Sequence, residues 1–395
     1  MKYAIVIPDG AADQPLDELD GKTPLDVASK PNIDALAAQG KVGTVRNVPE
    51  GLPCGSDVAI LSVLGYDPRK WYTGRAPLEA AAQGLEVAAD EWVFRCNFVT
   101  IIEGVMEDHS AGHISTKEAT SLIEEMNALA GDLPVRFYPG VSYRHLMTYR
   151  GECKVGTTPP HDILGEKADN HLPSGKGAEP LRDLISRSRG MLAEHDVNVV
   201  RRDLGENPAT SIWLWGEGKM PRLDPFAEVY GLNGAAITAV DLVRGLAKLI
   251  GWRVIEVEGA TGYVDTNFAG KGEAAVAALD ELDLVFVHVE APDEAGHNAN
   301  YSDKILAIER IDEHIVGPLM ERLRGEGDDW RMLVLPDHPT PCAVRTHTHD
   351  PVPFAIAGKR IESVLGGPFC ERTAERGDLH VERGCELMEY FLTVR

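Results

Sequence analysis

Three short apolar runs in this chain, residues 3–7, 284–289 and 332–335, each break off at a segment carrying aspartate or histidine: PDG at 8–10, APDEAGH at 291–297 and LPDHPTP at 335–341. Apolar runs of this length without polar alternation read as strands buried on both faces, and such strands belong to parallel sheets covered by helices. The carboxyl ends of the strands form the rim where open α/β sheets place their ligands. The pattern therefore predicts a doubly covered sheet with Asp9, Asp293, His297, Asp337 and His338 gathered along one edge. A fourth segment, RTHTHDPVPF at 345–354, adds His347 and His349 just before a Pro-bounded strand.

The rest of the chain fits around this frame. Pro31 and Gly40 bracket a helix over 31–39, a strand follows near 42–48, and a further helix runs from about Ser56 to Leu64. Strands are expected at 211–215, 235–239 and 354–357, and helices at 241–250, 272–282 and 303–323. Between these parts the texture changes. Strands at 93–102, 135–138 and 143–149 and helices at 115–129 and 179–192 are α+β in flavour, and the Gly, Pro, His and Thr-rich stretch 151–177 reads as a long loop. The expected organisation is an α/β core over 1–75 and 209–395 with a mostly parallel central sheet and helices on both faces, interrupted by an inserted α+β domain over 76–208.

Asp293 and His297 are four residues apart, so one helical turn can aim a carboxylate and an imidazole at the same ion. Asp337 and His338 are adjacent and need a loop to do so. A mixed Asp/His set suits Mn²⁺ or Zn²⁺ more than Ca²⁺. For each of these histidines taken singly, a buried structural role is the competing reading. Ser56, in GLPCGSD at 51–57, follows a glycine turn and opens a helix. There it serves either as a helix N-cap or as a metal-activated nucleophile beside backbone N–H groups that can hold a phosphate.

The 395 residues carry 39 Lys and Arg against 62 Asp and Glu, a formal charge of -23. That balance argues against a nucleic-acid backbone or an anionic membrane as the main partner, and a phosphorylated ligand must meet a local basic cluster. Arg75, Arg95, Arg144, His145, His161 and Asp162 are the candidates in the insert. No apolar run approaches a membrane span. The N-terminal apolar stretch ends too early for a secretory signal, and the six scattered cysteines suit free thiols in a reducing compartment, so a cytoplasmic location is expected. GKT at 21–23 and GKG at 175–177 and 270–272 lack the spacing of a phosphate-binding P-loop.

Taken in order, IPDGAAD, KTPLDVASKPNID, GSDVAILSVLGYDP, YTGRAPLEA, FRCNF, GYVDTNF, APDEAGH, LPDHPTP and THTHDPVPF closely resemble the archaeal-type cofactor-independent phosphoglycerate mutases of the alkaline phosphatase superfamily. The insert segments FYPGVSYRHL and TTPPHDI also resemble a bacterial branch of that family proposed to act as homoserine kinases. The resemblance implies an alkaline-phosphatase-like core and two divalent ions, usually Mn, with Zn, Co and Mg as other occupants. One ion would be held by Asp9, Ser56, Asp337 and His338, the other by Asp293, His297 and His347, with His349 behind them. It further implies that Ser56 takes the phosphoryl group of 3-phosphoglycerate and returns it to the 2-hydroxyl, while the insert closes over the glycerate with its Arg and His groups. Homoserine kinase and phosphomonoesterase activities are the alternatives that the same metal core allows. The implied partner is a small phosphorylated substrate, with no nucleic acid and no membrane, for a monomer or small homo-oligomer.

Overall fold

A computed structural model describes residues 1–393. It divides into two compact units, Met1–Tyr72 with Arg222–Arg395, and Thr73–Pro221.

The larger unit is built on an eight-stranded sheet in the order Arg253–Ile255, Gly234–Ile237, Leu284–Val289, Lys2–Pro8, Trp330–Val334, Val352–Gly358, Lys41–Val45 and Leu379–Val381. Val352–Gly358 alone runs antiparallel to its neighbours. The central strands are buried throughout because both faces are covered. Ala4, Val6, Val285, Val287, Met332 and Val334 share one apolar cluster with Leu36, Leu279, Ile308 and Leu319 from the helices. On the opposite face Tyr3 meets Phe391 edge to face, and Phe286 packs in a tilted arrangement against Trp252. The alternation of side chains along each strand sends successive residues into these two layers.

Helix boundaries follow the local chemistry closely. Pro31 occupies the first turn of Pro31–Gln39. The long helix expected over 303–323 is divided into Tyr301–Ile311, a π-helical turn at Asp312–Val316 and Gly317–Arg324. In that turn buried Asp312 accepts hydrogen bonds from the backbone N–H groups of Asn32 and Ile33 at 3.2 and 2.7 Å, satisfying free donors at the start of Pro31–Gln39.

The smaller unit is an antiparallel sheet of Val105–Asp108, Glu91–Ile102, Arg144–Arg150 and Val135–Val141, with Ser211–Gly218 also paired to Glu91–Ile102. The strand at 211–215, read from the sequence as part of the βαβ series, therefore belongs to this sheet, and the compact unit runs to Pro221. Helices Thr116–Ala130 and Ala178–Glu194 cover one face through Leu122, Met126, Leu181 and Ile185. Ser115 and Glu118 form a capping box at the start of the first of these. The stretch 151–177 is not the featureless loop expected, since Lys154–Gly156 pairs with Ser174–Lys176 around two short 3-10 turns.

In the larger unit Lys304 and Asp13 are fully buried as a pair, 2.7 Å apart, and the ammonium also donates to the carbonyls of Ala12 and Thr340. Removing one partner leaves the other charge buried without compensation. Lys304→Met should therefore lower unfolding stability by roughly 3–5 kcal/mol, read as a shift in the urea midpoint. A loss below about 1 kcal/mol, the value of a solvated surface pair, would contradict the burial of this pair.

Candidate metal centre

Sheet topology brings the widely separated acidic and histidine segments together. Pro8 pairs in register with Val289, and Val6 with Val334, so the chain leaves all three strands at one rim. The reversal of Val352–Gly358 lets His347, which precedes its strand, arrive at the same edge. Asp293 and His297 lie on the short helix Ala291–His297, while Asp337 and His338 lie on the loop after Trp330–Val334.

Three overlapping groups of side chains result. Asp293, His297 and His347 have ligand atoms within 4.8 Å of one another, as do Asp9, Asp293 and His338, and also Asp9, His288 and Asp337. His297 Nε2 is 3.3 Å from Asp293 Oδ2, and His347 Nε2 is 3.4 Å from Asp293 Oδ1. The two imidazole Nε2 atoms are 3.0 Å apart. Ser56 is the first residue of helix Ser56–Val63, with Gly55 at the cap position, and no side chain caps this end. The N-cap role is thereby excluded for Ser56. Its Oγ lies 3.3 Å from Asp9 Oδ2 and 3.1 Å from His338 Nε2.

The packing is tight around these groups. Gly10 has φ +63°, and a Cβ there would lie 2.6 Å from both Asp293 Oδ1 and Thr340 Oγ1. Only glycine permits this approach.

Three almost fully buried carboxylates, Asp9, Asp293 and Asp337, share the centre. Burial, with Asp337 and Asp293 nearby, pushes Asp9 well above the usual carboxylate range. Burial also opposes ionisation of Asp293, but hydrogen bonds from His297 and His347 outweigh it and hold that carboxyl well below its usual range. Asp9 Oδ1 and Asp337 Oδ2 are buried with no hydrogen-bond partner among the described residues. Orphaned carboxylate oxygens facing imidazole nitrogens are a donor set that divalent cations satisfy, so these residues fit divalent metal ions.

The smaller unit carries a separate basic cluster. Arg95 stacks 4.0 Å over Trp215, and both ends of its guanidinium fork meet Glu79, at 3.1 and 3.0 Å. His161 packs edge-on against Trp215 at 5.4 Å and lies 3.6 Å from the exposed carboxylate of Asp162. Burial lowers the Arg95 pKa, as do the charges of Arg75 and Arg144 beside it, while Glu79 opposes them. Arg75, Arg95, Arg144 and His161 thus share one neighbourhood. His145 does not. Its strand neighbour Arg144 pairs with Asn97, whereas His145 pairs with Cys96 on the face covered by helices. The ring is 2% exposed and packs on Phe98, with Nδ1 accepting from the Gly140 N–H. Burial pushes its pKa down to about 4, which leaves it a neutral core residue.

A family model described as 2,3-bisphosphoglycerate-independent phosphoglycerate mutase matches residues 37–198. A Methanosarcina acetivorans protein of that name is 52% identical over 397 residues, covering all of both chains. One from Methanothrix thermoacetophila is 49% identical over 393 residues, 99% of this chain and 100% of its own. The chain belongs to the 2,3-bisphosphoglycerate-independent phosphoglycerate mutase family. Among solved structures, the PH0037 protein from Pyrococcus horikoshii aligns with a TM-score of 0.84 at 31% identity, covering 99% of this chain and 96% of its own. The cofactor-independent phosphoglycerate mutase from Thermoplasma acidophilum aligns at 0.69 and 27%, covering 99% of each.

Three residues beside the acidic cluster of the larger unit or the basic cluster of the smaller one were not singled out in the sequence. His288, fully buried on strand Leu284–Val289, places Nε2 2.9 Å from Asp9 Oδ2, with Nδ1 3.2 Å from Thr238 Oγ1. The signal was there, since a histidine inside the otherwise apolar run LVFVHV has no reason of its own to be buried. Glu290, pushed up to about 8 by burial and by Asp293, stands at the N-cap position of helix Ala291–His297 without a side-chain capping bond, and in the smaller unit His109 packs edge-on against His161 at 6.1 Å. His349 is exposed; its Nε2 lies 3.1 Å from Leu52 O, and its carbonyl accepts from Arg46.

Hydrogen bonding to Asp293 raises His297 to about 9 in the metal-free protein. Because the folded value lies above the unfolded one of about 6.5, this pair's contribution is fully present below pH 6.5 and is lost as pH rises through 9. Asp293→Asn should return His297 toward an ordinary imidazole value, read by NMR titration of the chelated protein. An unchanged midpoint would show that Asp293 is not its partner.

Proposed function

We propose that this chain interconverts 3-phosphoglycerate and 2-phosphoglycerate without a bisphosphoglycerate cofactor, through a phosphoseryl intermediate on Ser56 at a centre for two divalent ions, Mn²⁺ in the physiological form. The observation that carries this reading is the position of Ser56 Oγ, between Asp9 and His338 at the head of a helix, in a chain about half identical end to end to proteins named as such mutases.

In this reading Asp9, Ser56, Asp337 and His338 hold one ion, and Asp293, His297 and His347 hold the other. When bound, such ions supply charge neutralisation at the attacking and leaving oxygens and lower the pKa of a coordinated hydroxyl. The protein's own groups do the positioning. Asp9 accepts the Ser56 hydrogen bond and orients the oxygen at the head of helix Ser56–Val63, where the positive end of the helix dipole favours a phosphoryl group. The Oγ–P bond forms as the bond to the 3-oxygen of the substrate breaks, releasing glycerate. The 2-hydroxyl oxygen then attacks phosphorus as the Oγ–P bond breaks. The proton that leaves Ser56 in the first half is taken up by the departing 3-oxygen, and the proton of the attacking 2-hydroxyl passes to Ser56 Oγ in the second, so none is consumed.

A mutase must also keep the glycerate while it turns. Arg75, Arg95, Arg144 and His161 are the proposed partners of its carboxylate and hydroxyls. Arg95 is already neutralised by Glu79, which assigns it mainly to shaping this cluster and leaves the larger share of anion binding to its neighbours. Asp162 balances His161, and His145 takes no part.

Ser56→Ala should reduce isomerisation by roughly 10⁴-fold or more, as loss of a nucleophile does. Exhaustive chelation should abolish activity and added Mn²⁺ restore it. The assay is conversion of 3-phosphoglycerate to 2-phosphoglycerate without bisphosphoglycerate, run beside ATP-dependent phosphorylation of homoserine. Homoserine phosphate with no isomerisation would overturn the mutase reading, and turnover unchanged in Ser56→Ala would overturn the covalent mechanism.

A further inference from the structure

The loop that leads to Ser56 starts at the end of strand Lys41–Val45, and Asn47, two residues beyond the strand, is buried. Its Nδ2 donates to the Asp337 carbonyl at 2.9 Å and stands 3.5 Å from that of Pro336. An amide nitrogen only donates and a carbonyl only accepts, so the side chain has one orientation here. In the other direction the Asn47 carbonyl accepts from Ser62 Oγ at 2.5 Å. Ser62 is buried on helix Ser56–Val63, which Ser56 opens. One residue therefore joins the segment carrying Asp337 and His338 to the helix carrying the proposed nucleophile, and neither link involves a titrating group.

Asp337 is held from two sides as a result. The Gly10 N–H donates to its Oδ1 at 3.2 Å while Asn47 fixes its main chain, so Oδ2, buried with no hydrogen-bond partner among the described residues, keeps one direction. Asn47 has no room to follow a shift of this segment. A Cβ built at Gly384 would lie 2.6 Å from Asn47 Oδ1 and 2.8 Å from its Cα, so the backbone at Gly384 closes against it. Asn47 Oδ1 is itself buried with no hydrogen-bond partner among the described residues. An unsatisfied buried oxygen costs folding free energy, which a side chain kept for packing alone would avoid. The carboxamide is explained by what its N–H group holds.

We propose that Asn47 is a positioning residue that sets the spacing between Ser56 Oγ and the Asp337–His338 segment, through its side chain on one side and its carbonyl on the other. It thereby governs the ion set of Asp9, Ser56, Asp337 and His338 and leaves that of Asp293, His297 and His347 alone.

The inference rests on the two-ion reading above, and its first test uses no turnover. In calorimetric titration of the metal-free protein with Mn²⁺, the binding step that Asp337→Asn removes should weaken by about 10–100-fold in the near-isosteric Asn47→Leu, the range for lost outer-shell partners, while the other step stays within about threefold of wild type. Ser62→Ala, which cuts only the link to the helix, should weaken the same step by about tenfold, and it decides the matter if Asn47→Leu does not fold. At saturating Mn²⁺, Asn47→Leu should lower kcat for 3-phosphoglycerate by about 10–100-fold with KM within about threefold, as misplaced reacting groups do. Both steps at wild-type affinity, or both weakened alike as general loosening would do, overturn the proposal, as does a raised KM with unchanged kcat. A single step in the wild-type protein overturns the two-ion reading; weakening of that step in Asn47→Leu then supports the inference, and wild-type affinity overturns it. Selective weakening in a protein without isomerase activity supports the inference and overturns only the substrate assignment.

Discussion

The larger unit depends on crowding Asp9, Asp293 and Asp337 into one almost dry space. Like charges buried together cost far more than any single contact nearby returns, so everything around them reads as compensation. Four imidazoles, those of His288, His297, His338 and His347, face them, a glycine with φ +63° lets the first loop close in, and the serine hydroxyl fills a remaining acceptor. Two carboxylate oxygens are still without a hydrogen-bond partner among the described residues. The residual imbalance is the physical argument for divalent cations, and it stands apart from any family likeness.

Much of this was legible in the amino-acid sequence because the rim of a parallel sheet is a local property. A buried apolar run and the polar residue that ends it lie side by side in the chain, so Asp9, Asp293 and Asp337 could be placed from strand patterns alone. The π-helical turn at Asp312–Val316 could not, since it answers to the free N–H groups of another helix. Nor could the assignment of strand Ser211–Gly218, whose apolar character fits either sheet and whose partner is decided by pairing with Glu91–Ile102.

Side-chain direction marks the same limit within the candidate site. Arg144 and His145 are equal in the sequence, and one step of β-alternation sends the first beside Asn97 and the second into the core. Asp293 with His297 was readable because four residues make one helical turn. Asn47 was not, because an asparagine at the end of an expected strand carries no mark of the hydrogen bond it makes to a carbonyl 290 residues away.

The position of strand Lys2–Pro8 has a consequence for how the chain is made. This strand sits mid-sheet between Leu284–Val289 and Trp330–Val334, so both of its neighbours emerge roughly 280 or more residues later. At 5–20 residues per second it waits on the order of 15–55 s with both hydrogen-bonding edges unpaired. Meanwhile Thr73–Pro221, whose sheet partners all lie within that stretch, is complete and free to fold. The smaller unit thus completes its own sheet before the larger one can, and the nascent chain needs cover over this unpaired strand until Trp330–Val334 has emerged.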